Sequence, residues 1–219
     1  MTIAVGTVTL GILFSTSLLG LAEDRKTTGD DAAATVELQV IVHRSMDAAG
    51  LALARESALA LLATAGIAGE WRECGGGGRG CEGQNGPALI VVLLLPVLKM
   101  SQRAVCGEAT RDGRTGVGTV LIYVPRHVEL AQEFRSSSGA RSQPALATLQ
   151  AGHLVGLTVA HEVGHVSGLP HTGAGVMKAR PNVGEIVALR TSQLRFAAAE
   201  ATRMRLALQG PADILARRP

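Results

Sequence analysis

Apolar and polar side chains alternate from residue 35 to 42, where Val36, Leu38, Val40 and Val42 share one parity and Glu37 and Gln39 the other. A period of two predicts a half-buried strand, because successive side chains of an extended chain point to opposite faces. The period then lengthens. Asp47 is placed to cap a helix running to about residue 65, with Leu51, Ala54, Ala58, Leu61 and Leu62 near helical spacing and Gly66 as its stop. Residues 67–71 read as a short strand, and 88–95 is an unbroken apolar run between Pro87 and Pro96, as expected of a strand covered on both faces. Another strand is predicted at 117–124, ended by Pro125, with a shorter one at 103–109 before it and a loop at 136–139. Helical spacing returns from 144 to 167: Pro144 suits a first turn, Leu146, Leu149, Leu154, Leu157 and Val159 are available for packing, and Gly168 is the stop. The last predicted helix spans 191–209, capped by Thr191, with Leu194, Ala198, Ala201 and Leu208 on one face and Gly210-Pro211 ending it.

Composition narrows the class. With 219 residues, 47% of them hydrophobic and a net charge of only +3, the chain suits one well-packed domain and not a disordered tail. Five aromatic side chains in all, three Phe with Trp71 and Tyr123, argue against a nucleic-acid module built on base stacking. Residues 178–219 carry +5 and the remainder −2, which reads as a solvated C-terminal face and receives no functional weight. Residues 1–22 contain no charged side chain and resemble a secretory signal, with Gly20-Leu21-Ala22 offering a cleavage site, although the usual basic start is missing. The expected location is therefore secreted or extracytoplasmic, with a retained signal anchor as the alternative. A polar linker follows at 23–34. Cys74 and Cys81 bracket a glycine-rich loop that can bring its ends together as a small disulfide, leaving Cys106 unpaired; three inert thiols are the alternative.

The chemistry concentrates near residue 165. The predicted helix ends in His161-Glu162-Val163-Gly164-His165-Val166-Ser167-Gly168-Leu169-Pro170-His171. His161 and His165, four apart, project from one helix face and can reach a single cation. Glu162, displaced around the helix, can contact a water on that ion. His171 can join only if the helix stops, and Gly168 supplies the left-handed backbone that reverses the chain, after which Pro170 stiffens the approach. Three neutral imidazoles leave one position of a tetrahedral ion open, the arrangement of catalytic and not structural zinc. His153 lies two helical turns from His161, too far to share the ion. His43 and His127 read as surface or core histidines.

This segment resembles the zinc-binding signature of the metzincin metallopeptidases, and Gly175-Val176-Met177 resembles their methionine turn. The resemblance implies an α+β zincin-like fold: a twisted mixed sheet packed on two long helices, an active-site helix, and a small C-terminal part with one helix. The metallopeptidase domain would span 35–219, with an upper part to about 171 and a lower part from 172. It implies that Met177 forms an apolar floor beneath His161, His165 and His171, and that an edge strand, 103–109 or 117–124, binds extended substrate. A tyrosine found two residues after the methionine in some members is Ala179 here, so that extra metal ligand is absent. The reading is a monomeric zinc endopeptidase with one catalytic Zn²⁺ and Glu162 as general base. Its partners are protein or peptide substrates, with no nucleic acid and no membrane unless the N-terminal segment is an anchor. A zinc-stabilised binding protein without catalysis and a zinc amidase for non-protein substrates remain as alternatives. Lys178 and Arg180, just past the methionine, could favour acidic side chains if they do not simply face water.

Overall fold

A computed structural model describes residues 34–43, 45–75, 81, 88–96, 105–137, 140 and 142–209, all within the unit Ala32–Pro219. The signal or anchor segment, nearly all of the polar linker and the end of the chain lie outside the described residues. Among those described, no helix is long and apolar enough to cross a membrane.

The alternating segment becomes β1 (Ala34–Val42), with Val36, Leu38 and Val40 buried. Asp47 caps α1 (Ala48–Thr64), its carboxylate accepting from the Gly50 N–H at 2.8 Å. Then come β2 (Ile67–Cys74), β3 (Leu89–Leu95), β4 (Gly107–Arg111) and β5 (Gly118–Tyr123). They form one sheet in the order β2-β1-β3-β5-β4, parallel except for β4, which runs antiparallel to β5. In the central strands Val40 pairs with Val92 and Val92 with Val120, a fully buried row across the sheet. The apolar run of β3 is covered unequally: Ile90, Val92 and Leu94 are buried, whereas Val91, Leu93 and Leu95 are half-buried.

Three expectations need correction. Pro125 does end the strand, but it also starts a helix, α2 (Val124–Ser136), because proline in a first turn gives up an N–H that would be unpaired anyway. Val124, His127 and Ala131 form its buried face. The predicted helix 144–167 is two, α3 (Pro144–Ala147) and α4 (Ala151–Val166), and His153 sits at the break. Its Nδ1 accepts from the Gln150 N–H at 3.1 Å, supplying a partner for a free amide at the helix start. The predicted helix 191–209 is wrong in its first half. Thr191 closes a different helix, α5 (Val183–Arg190), and α6 (Ala198–Leu208) begins only after an extended stretch that buries Leu194 and Phe196. α5 carries a capping box: Asn182 accepts from Gly184 N–H at 2.8 Å, and Glu185 accepts from Asn182 N–H at 2.9 Å.

α4 is the pivot of the molecule. It runs directly against α1, and Gly152 and Gly156 permit the approach: a Cβ at either would lie 2.4–2.5 Å from a backbone oxygen of α1, Gly50 or Ala54. It also packs on α2, β4, β5 and, more lightly, α5. Twelve of its residues are buried, so its position is set by packing on several sides.

Candidate metal centre

His161, Glu162 and His165 sit on the last two turns of α4. The helix ends where Gly168 adopts φ +82°, and the Leu169 N–H returns to the Gly164 carbonyl at 3.0 Å. The reversed chain then delivers His171, which is exposed, to the same face.

Two rings are held by their far nitrogens. His161 Nδ1 lies 2.8 Å from the Val176 carbonyl oxygen, and His165 Nδ1 lies 2.7 Å from the Leu169 carbonyl oxygen. A carbonyl only accepts, so each Nδ1 carries the proton and each Nε2 presents a lone pair. Those two lone pairs face each other, with His165 Nε2 3.0 Å from His161 Nε2, and His171 Nε2 lies 3.0 Å from His165 Nε2. Two acceptors do not meet this way without a shared partner. Zinc bonds of about 2.0–2.1 Å in a tetrahedron put ligand nitrogens about 3.3 Å apart. The donor set is therefore of the right kind and nearly the right size for one zinc ion.

Electrostatics favour the ligand form. Burial pushes the pKa of His161 down to about 4, against the opposing pull of the Val176 carbonyl and helped by the neighbouring imidazoles. His171 is shifted down as well, by burial first and then by His165. Met177 is wholly buried under this face, and a Cβ at Gly164 would lie 2.4 Å from its sulfur. The turn holding it is closed by the Thr172 N–H donating to the Met177 carbonyl at 2.9 Å.

Glu162 is 5% exposed and lines the cavity beside the histidines. Burial, and then the nearby Glu108, raise its pKa to about 7. Its carboxylate lies beneath β4 at Gly107, where a Cβ would come within 3.0 Å of Oε1. β4 is one of the two edge strands of the sheet, the other being β2, and β5 lies inside it, so of the two segments expected to flank the cleft only the one reaching Gly107 stands at an edge. The cavity has a volume of about 290 Å³ and is lined by residues of β4, α2, α4 and the chain from His171 to Leu194.

The remaining histidines take other roles. His43 is exposed after β1. His153 serves the start of α4 and meets Arg190 through Nε2. His127, wholly buried in the cavity wall, donates from Nδ1 to the Tyr123 carbonyl at 2.9 Å and accepts at Nε2 from the Thr158 hydroxyl at 2.8 Å. Sequence reasoning missed this residue's place at the site because its partner lies 31 positions away. Burial lowers the His127 pKa to about 4. A folded value below the unfolded one of about 6.5 gives stability that is complete above pH 6.5 and is lost as pH falls through 4. His127→Gln is accordingly expected to flatten the fall of Tm between pH 6.5 and 4, with His153, His161 and His171 supplying the remaining slope. An unchanged slope in thermal melts would refute that assignment.

Cys74 and Cys81 are joined in a disulfide, with Cα atoms 5.6 Å apart, and most of the glycine loop between them lies outside the described residues. Cys106 is free and half-buried in the cavity lining, its thiol pKa raised chiefly by burial. Lys178 does not stand free: its ammonium is bound to Glu185. Arg180 is exposed.

No family model and no curated protein matches this chain. Two solved structures align with it. Metalloproteinase-II from Bacteroides fragilis does so with a TM-score of 0.49 and 14% identity, over 83% of this chain and 55% of that one. A zinc-dependent peptidase from Methanocorpusculum labreanum (strain Z) does so with a TM-score of 0.44 and 14% identity, over 77% of this chain and 99% of that one. The chain thus spans about half the length of the first.

Proposed function

We propose that the protein is a zinc-dependent endopeptidase of metzincin type that uses Glu162 as general base. The observation that carries this reading is the convergence of the Nε2 atoms of His161, His165 and His171 beside a buried carboxylate in an open cavity. Zinc bound by His161, His165 and His171 supplies a Lewis acid that polarises a peptide carbonyl and acidifies water. Glu162 takes the proton of the attacking water as the C–O bond forms and then passes it to the amine nitrogen, on which the C–N bond breaks and the amine departs. The edge strand β4 gives an extended peptide a strand to run along, next to Glu162.

Chelator-sensitive cleavage tests the reading. Purified protein is expected to hold one equivalent of zinc and to cleave quenched peptides, to lose that activity in a chelator, and to regain it with added zinc. One equivalent of zinc without cleavage of any peptide would favour a binding protein. Hydrolysis confined to small non-peptide amides would favour an amidase.

A further inference from the structure

A second cavity, of about 370 Å³, lies between α1, the start of α4 and the end of α5. That volume falls within the range of small-ligand pockets, about 300–1,000 Å³. Its polar lining is rich in donors. Arg190, the last residue of α5, turns Nη1 to His153 Nε2 and donates from Nη2 to the Thr148 hydroxyl at 3.2 Å. Its Nε is buried with no hydrogen-bond partner among the described residues, and no described carboxylate forms an ion pair with it.

The contacts of His153 do not balance by themselves. The Gln150 N–H faces Nδ1 at 3.1 Å and the Arg190 guanidinium faces Nε2, so two donors meet one ring. A neutral imidazole has one lone pair and one N–H. With the lone pair given to the Gln150 N–H, His153 Nε2–H and the guanidinium N–H groups are donors facing each other. An oxygen that accepts from both resolves that conflict, and the orphaned Arg190 Nε adds a further donor. Ser192 supplies a hydroxyl at the same cavity. It has φ 57° and is the only non-glycine residue with a positive φ among the described residues. Glycine would take that angle without a steric penalty, yet the position carries a hydroxyl. Glu56 of α1, exposed at the cavity, is the opposing charge.

We propose that this second cavity binds a small oxyanion, a carboxylate or phosphate group, between Arg190 and His153, with Ser192 as a further donor and Glu56 weakening the hold. Such an anion ties the start of α4 to the end of α5. The proposal stands apart from the peptidase reading, because none of these residues belongs to the metal centre.

Isothermal titration and thermal melts of the zinc-loaded protein test the proposal, with sodium phosphate and sodium acetate compared against sodium chloride at equal ionic strength. The expected dissociation constant is about 1 mM, so about 20 mM of the bound anion raises Tm by about 4–7 °C. A response to phosphate alone identifies a phosphate group as the ligand, and a response to acetate identifies a carboxylate. Arg190→Gln should weaken binding about tenfold or more with zinc still bound, because it removes the charged donor. Glu56→Gln should strengthen binding by about 2- to 5-fold. Ser192→Gly should weaken it by about 2- to 5-fold, while Tm without the anion stays level or rises. If Arg190→Gln does not fold, the other two variants decide, and unchanged binding in both overturns the proposal. No response beyond that of chloride overturns it as well. So does a response that folded Arg190→Gln retains in full, since an anion bound on the zinc would behave that way.

Discussion

Glu162→Gln is expected to reduce kcat for peptide cleavage by about a thousandfold, within the 10²–10⁴ range of general acid–base catalysis, while one equivalent of zinc stays bound. Glutamine has nearly the shape of glutamate, so the space under Gly107 remains filled and the three histidines are not disturbed. What is lost is the ability to hold a proton between water and amine. The same substitution has a second signature in metal-free protein. Burial raises the Glu162 pKa to about 7 from an ordinary 4.5, so its contribution to stability is complete below 4.5 and disappears as pH rises through 7. At about 1.4 kcal/mol per pH unit, ionising it in place costs about 3 kcal/mol at pH 8. Metal-free Glu162→Gln should therefore melt at a higher temperature than metal-free wild type at pH 8, and at nearly the same temperature at pH 4. A variant that keeps its turnover, or that loses activity together with its zinc, contradicts the role assigned to Glu162.

His165→Ala should have the largest effect on metal binding. His165 Nε2 faces both of the other ligand nitrogens at 3.0 Å, so removing it leaves two imidazoles on opposite sides of a gap. Structural zinc in four-ligand peptides binds with about 10–16 kcal/mol, which places one ligand at about 2.5–4 kcal/mol, or about 60-fold to 700-fold in affinity. Zinc titration against a competing chelator would measure the loss, and cleavage at micromolar zinc should fall below detection. Stability should respond differently from affinity. Wild type gains melting temperature with added zinc by mass action, whereas His165→Ala should gain little at the same concentration. Equal zinc affinity in the two proteins would show that the triad is not the metal site.

The strand at 35–42, the helix capped by Asp47 and the stop at Gly168 are legible because each depends on neighbours within a few positions: side-chain parity, a cap three residues away, and one backbone angle. The spacing of His161, His165 and His171 belongs to the same class. α2 was hidden by Pro125, which reads as a terminator at the end of an apolar strand, although Val124, His127 and Ala131 already have helical spacing. α5 was legible in Asn182 and Glu185, a capping box three residues apart, but Thr191 was the more conspicuous capping residue and drew the helix start toward itself. In the structure Thr191 ends α5 instead.

Chain-local chemistry thus determined the core of the candidate site. Four residues of helix and one left-handed glycine bring three imidazoles to one point, and no distant residue is needed to say so. Tertiary structure decided what surrounds that point. It made β4 and not β5 the edge of the sheet, since strand order depends on which strands meet across the sheet. It placed His127 against Thr158, and it drew Leu130 and Phe134 of α2 into the cavity wall. It also paired Lys178 with Glu185 in the cavity lining. Metal ligation follows from short spacings along one helix and its turn. The lining of the cavity and its charge pairing depend on contacts between separate elements, and these exist only once the chain has packed.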